Sequence, residues 1–446
     1  MSLTSCEDIL GEWSRPTPTP VTPGGGGSSS GVASISFTVP NLRFGMNSAT
    51  PITLTANISP SDATITWESS DKAVATVNNG EVTPVAEGKA IIYAKAGDKT
   101  AECPVYVYAG KASISDGDVT VTSGEWYIEG DGTEVTNTIT IADGASAILD
   151  GININNSTAG TTPCIICQGD ATITLADGSN NTITAPGTFA AIQAAGNGTD
   201  GKKLTIKGET AGTGKLTATA GYHGAAIGSN KNQSCSDIEI QGGDITANGG
   251  SLAAGIGSGN AETADVACGT ITISDGKVTA NGGVNGGAGI GTGAAYEHSQ
   301  TCGGINITGG TITANGGGTK GGAGIGTGMS KSDSGGSSNQ NCNNIDISGG
   351  TVEATGGDNA AGIGTGYAFY DATYHNPCNQ TCGTITIGTG VISVTATAGS
   401  GCSYSIGKGV NKENKGTILC GTVTIGVDAT TYATGVNVSP FSYPAP

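Results

Sequence analysis

Apolar and hydroxyl residues alternate strictly through Thr270-Ile271-Thr272-Ile273, and a second alternating run follows the same kind of unit at Thr311-Ile312-Thr313-Ala314-Asn315. Period-two alternation puts Ile271 and Ile273 on one side of a strand and the threonines on the other. The first run recurs, centred on Ile139, Ile173, Leu204, Ile238, Ile271, Ile305, Ile345, Ile385 and Val423, nine strands spaced 31 to 40 residues apart. Each unit continues through a second strand, a glycine segment and a variable insert. No stretch shows the 3.6-residue period of a helix. Three short strands per unit, repeated in tandem, predict a parallel β-helix of about nine coils, right-handed by the usual crossover rule. Coils stacked ~4.8 Å apart make a rod of roughly 43 Å.

The glycine segment reads GGAGIGTG at both 286–293 and 321–328, with close copies around Ile256 and Ile363 and weaker ones at Ile227 and Ile406. A phosphate-cradling loop occurs once, between a strand and a helix. Six tandem copies point instead to architecture, with isoleucine in the core and glycine at tight bends of positive φ. Asn248, Asn281 and Asn315, each followed by two glycines, predict an asparagine ladder at a turn, in left-handed backbone.

Before the array the pattern differs. Residues 32–109 carry short alternating strands with turn signals every eight to twelve positions, the signature of a small sandwich. Trp67-Glu68-Ser69-Ser70, Val74-Ala75-Thr76-Val77, Asn79-Gly80 and Gly88 stand in an order that resembles the group 2 bacterial immunoglobulin-like family. That resemblance implies a spacer or adhesion module without catalysis, with Trp67 in its core. The chain is therefore expected to be all-β, with residues 1–31 a tether, 32–109 a sandwich and 110–446 the β-helix with terminal caps. The array, 111–426, resembles β-helical repeat regions of bacterial surface adhesins and, less closely, a carbohydrate-binding β-helix family.

The segment 14–31, SRPTPTPVTPGGGGSSSG, joins an extended Pro-Thr stretch to a flexible Gly-Ser stretch. Upstream, Leu3-Thr4-Ser5-Cys6 resembles the lipobox of bacterial lipoproteins, which implies lipidation of Cys6. Glu7 and Asp8 resemble the acidic export signal of surface lipoproteins in the Bacteroidota. These resemblances imply a lipid-anchored protein at the cell surface, on the outer membrane.

Composition narrows the partners. A net charge of −18 and only two arginines, Arg15 and Arg43, argue against nucleic acid, whose phosphates need basic partners. Among twelve cysteines, six share one register: Cys235, Cys268, Cys302, Cys342, Cys382 and Cys420. They are expected to form a column of buried thiols behaving as small hydrophobes. Cys164 and Cys167 flank an extended Ile-Ile pair, where a mutual bond would be strained. No cofactor is expected. A column does not converge as zinc requires, and calcium on the acidic surface has no motif behind it.

Enzymes of β-helical shape cleave polysaccharides with carboxylates held across neighbouring coils. Asp237, Glu239, Asp244, Asp346 and Glu353 are the outward acids here, and no distinctive motif holds any of them. The expectation is a non-enzyme. Specificity is expected in the inserts between glycine segment and cysteine, which emerge at one corner. Tyr296, His298, Tyr367, Phe369, Tyr370, Tyr374 and His375 concentrate there. Aromatic faces stack on sugars and anchor protein contacts, so a glycan or a host or matrix protein is the expected partner. These rings can equally fold over the rod and bury themselves; the alternatives to an adhesion protein are a polysaccharide-degrading enzyme and a passive stalk without a ligand of its own.

Overall fold

A computed structural model describes residues 32–444 apart from 159, 333–335, 371–375, 413–415, 427–429 and 433–434, and leaves the side chains of 370 and 430–432 undescribed. Among the described residues the chain is all-β, broken only by the single turns of 3-10 helix Met46–Ser48 and Ile114–Asp116. No helix there is long and apolar enough to cross a membrane.

The first module is a sandwich. One sheet runs Leu42–Gly45, Lys99–Tyr108, Gly88–Ala96, Thr66–Ser69, and the facing one Ile52–Thr53, Glu81–Pro84, Ala75–Asn78. Phe44, Leu54, Val82, Ile92, Cys103 and Val105 fill the space between them. Trp67 packs on this core and stacks on Phe37, 5.9 Å between centroids. Asn79 (φ 48°) and Gly80 (φ 88°) make the two-residue hairpin that this dipeptide favours.

A polar joint fastens sandwich to rod. The Arg43 guanidinium sits 4.3 Å from the Tyr127 ring and 5.2 Å from Tyr106, and it donates to the Tyr108 hydroxyl at 2.9 Å. Beside it, the Asn47 amide accepts from Lys111 N at 2.9 Å and donates to Lys111 O at 3.0 Å.

Beyond Gly110, among the described residues, successive coils stack in parallel, with register shifts between Ile240 and Asp244 and between Gly350 and Thr351. Ten parallel strands among the described residues form one face, from Val119–Val121 through Ile139–Ile141 to Ile406–Gly407. A larger sheet wraps the other sides, with Ile238, Ile271, Ile305, Ile345, Ile385 and Val423 one above another. All of these side chains are fully enclosed. One strand was expected in the wrong column. Ile139 pairs with Val119 and Ile165, while the rung below Ile173 is Ala145–Asp150. The letters Thr-Ile-Thr occur on both faces of the early coils, at 138–140 and 172–174, so spacing alone does not separate them.

The glycine segment behaves as architecture. Ile256, Ile290, Ile325 and Ile363 point inward and are fully buried. The glycine after each has φ between 130° and 134°. A Cβ on Gly291 would stand 1.8 Å from the carbonyl oxygen of Gly326, so no other residue fits. The asparagine ladder is also present: Asn281 Nδ2 donates to Asn248 Oδ1 at 2.8 Å and Asn315 Nδ2 to Asn281 Oδ1 at 2.9 Å. It departs from expectation in its backbone, because all three residues end strands rather than adopting positive φ. Extended chain already aligns the amides between coils, so no left-handed residue is required.

Candidate functional site

The inserts build a third layer on one corner of the rod. Ala295–Tyr296, Ser330–Ser332 and Ala368–Tyr370 pair in parallel, placing Tyr296, Lys331 and Phe369 in one column. Lys331 Nζ stands 5.4 Å from the Tyr296 ring and 5.9 Å from Phe369, and Lys412 Nζ is 4.7 Å from Phe369. Rings and cations thus alternate along the edge, a mutually favourable order. Beneath them Leu252, Ala294, Met329 and Tyr367 make a small apolar core of their own.

Glutamines hold this layer to the rod. Gln300, Gln340 and Gln380 are buried, and each accepts from a hydroxyl of the glycine segment: Ser258 at 2.6 Å, Thr292 at 2.5 Å and Thr327 at 2.7 Å. Their amide nitrogens donate to insert carbonyls, Ala294 O at 2.8 Å, Met329 O at 2.9 Å and Tyr367 O at 2.8 Å. One side chain therefore ties the glycine segment to the insert beside it, in addition to the backbone bonds that Ala294 O, Met329 O and Tyr367 O accept from Ala261, Ala295 and Ser330.

Next to the layer lies a groove of about 510 Å³ lined by Tyr222, His223, Leu252, Glu262, Thr263, Tyr296 and Glu297. Tyr222 is 55% exposed and meets the His223 ring edge-on at 4.7 Å. Asn260 Oδ1 lies 3.1 Å from His223 Nδ1. Burial, helped by nearby Lys231, lowers the His223 pKa and favours a neutral ring. Glu262, which also lines the groove, reaches Lys231 at 2.6 Å. An aromatic wall with carboxylate acceptors can stack on a sugar ring and accept from its hydroxyls.

The expected residues divide. Tyr296 and Phe369 share the edge column, half-buried. His298 lies on the same edge, 3.5 Å from Asp265. Tyr367 is 8% exposed and packs inward, so it supports the edge and does not face a ligand. Tyr370 ends the strand Ala368–Tyr370. Tyr374, His375 and Cys6 lie outside the described residues. Tyr222 and His223 were missed. Their signal is positional, for they precede Ala-Ala-Ile-Gly as Leu252 precedes Ala-Ala-Gly-Ile-Gly, at the same corner one coil earlier.

Three of the five outward acids are occupied. Glu239 is 2.5 Å from Lys203 and accepts from Gln241 at 2.9 Å, Asp237 accepts from Thr270 N at 2.7 Å, and Asp244 is 3.6 Å from Lys277. Among the described residues no three or more of His, Cys, Asp and Glu converge as metal ligands. Cys164 and Cys167 are free and buried, and burial pushes their thiols up to about 11 and about 12.

Two family models match the chain. Residues 46–107 match the bacterial Ig-like domain (group 2), and residues 238–260, 271–294, 305–329 and 345–367 match a β-helix repeat. No curated protein matches it significantly. A bacterial Ig-like domain followed by β-helix repeats fits a surface or structural protein.

Proposed function

We propose that the chain is a cell-surface adhesion protein that binds a glycan in the groove between Tyr222 and Tyr296. The observation that carries this reading is an aromatic ring left 55% exposed beside a groove of small-ligand size that also presents Glu262 and Glu297. Tyrosine supplies contact area and a hydroxyl at little entropic cost. The Ig-like module and the tether of 14–31 hold the rod away from an anchor at Cys6. The reading contains no catalytic step, and the contacts that occupy Asp237, Glu239 and Asp244 support that part of it.

A glycan array probed with the full-length chain tests it. Binding to a defined set of glycans is expected, weakened about tenfold or more in Tyr222→Ala, a loss of ~1.4 kcal/mol or more. An array without hits overturns the reading. Binding to a matrix protein alone replaces the ligand class.

A further inference from the structure

The expected cysteine column is present, but one end of it departs from a row of free thiols. Cys235, Cys268, Cys302, Cys342, Cys382 and Cys420 are ladder partners in sequence from coil to coil. Cys382 and Cys420 are joined by a disulfide with Cα atoms 4.6 Å apart, inside the span such bonds require. The other four are unbonded, and none is more than 2% exposed. The sulfurs of Cys235 and Cys268 stand 2.9 Å apart, nearer than two sulfurs rest in van der Waals contact. Thiol-to-thiol contacts continue from Cys268 through Cys302 to Cys342.

A sulfur takes part in one disulfide only, so the row pairs in few ways. With Cys382 bonded to Cys420, the one ladder neighbour left to Cys342 is Cys302. Cys302 then leaves Cys268 to Cys235. Joining Cys268 to Cys302 instead would strand Cys235 and Cys342, which are not neighbours. The pair this count requires, Cys235 with Cys268, is also the pair whose sulfurs already meet. The bonded pair at the far end belongs to the same ladder, so the ladder admits the bond.

We propose that the column matures into three inter-coil disulfides, Cys235–Cys268, Cys302–Cys342 and Cys382–Cys420, each stapling one coil to the next. The bonds form by exchange with a carrier disulfide, a small molecule or a protein of the kind an exported chain meets. One thiolate of a pair attacks the carrier, giving a mixed disulfide and releasing one carrier thiol. The second cysteine, as its thiolate, displaces the other carrier thiol. Each pair thus loses two protons and two electrons, and one carrier disulfide becomes two thiols. The finished core encloses the sulfurs, so exchange precedes closure of the coils. The steps from Cys268 to Cys302 and from Cys342 to Cys382 stay unbridged.

The test exports the full-length chain into the oxidising periplasm of a bacterial expression host. Free thiols are blocked in denaturant and counted, and peptic fragments are mapped at acid pH, where the bonds do not exchange. Fragments linked at 235–268, 302–342 and 382–420 are expected, with Cys103, Cys164 and Cys167 blocked as free thiols. Cys302→Ala is expected to raise the thiol count by one, because Cys342 loses its partner. Cys103→Ala, in the sandwich, is expected to lower it by one. Linkage of Cys268 to Cys302 or of Cys342 to Cys382 overturns the proposal. So do free thiols at Cys235, Cys268, Cys302 and Cys342, or a lower count in Cys302→Ala. Should that variant fail to fold, the fragment map of the unaltered chain decides by itself.

Discussion

The early and late coils of the rod solve one problem in two ways. On the ten-strand face, the position paired along Thr140, Ile166 and Gln193 becomes Gly228, Gly257, Gly291, Gly326, Gly364 and Gly407. Early coils keep three-residue strands such as Ile165–Cys167 there, whereas late coils shrink to the pair Ile-Gly. A two-residue strand lets the chain leave the rung at once, and the third layer of Ala295–Tyr296, Ser330–Ser332 and Ala368–Tyr370 stands only over such coils among the described residues. The glycine motif shortens the rung to two residues. It frees length for the inserts that form the edge.

The comparison breaks most sharply at the glycine position. Gly291→Ala puts a Cβ against the Gly326 carbonyl in a backbone of φ 134°, so a loss of ~4 kcal/mol or more is expected by denaturant unfolding. Gln193→Ala, at the equivalent point of an early coil, removes a half-buried side chain and one amide contact with Gln233, and is expected to cost no more than ~1 kcal/mol. Equal effects would dissolve the distinction. Gln340→Ala comes next. It takes the amide donor from Gly293 O and one of two donors from Met329 O and removes the acceptor of Thr292, and should cost about 2 kcal/mol with local loosening of 329–332. Limited proteolysis of that segment reads the loosening directly. Smallest is Asn281→Ala, which removes two amide contacts in the ladder for ~1 kcal/mol, measured by the shift in melting temperature.

Much of this was legible in the residues. Isoleucines recurring with period two within strands, and every 31 to 40 residues between them, fixed the core column from Ile238 to Val423. The cysteine file and the asparagine ladder followed from the same register. Where spacing drifted, reading failed: Ile139 shares its letters with the TITI column yet lies on the other face. The buried glutamines were missed because a polar residue in an insert reads as loop. Gln300, Gln340 and Gln380 each stand two residues before a cysteine, and that regularity was the available signal. Aromatic clustering located the edge but not its exposed ring. Tyr367 turns inward into the apolar layer of Leu252, Ala294 and Met329, and Tyr222, outside that layer, is 55% exposed.

Hydrogen exchange of the full-length chain with and without a glycan selected on the array tests most directly whether the late-coil edge is the binding face. Added protection is expected at 222–223, 262–263 and 295–297, with the coils of 119–219 and the sandwich unchanged. Protection centred on the sandwich or the early coils, with the groove unaffected, would contradict it.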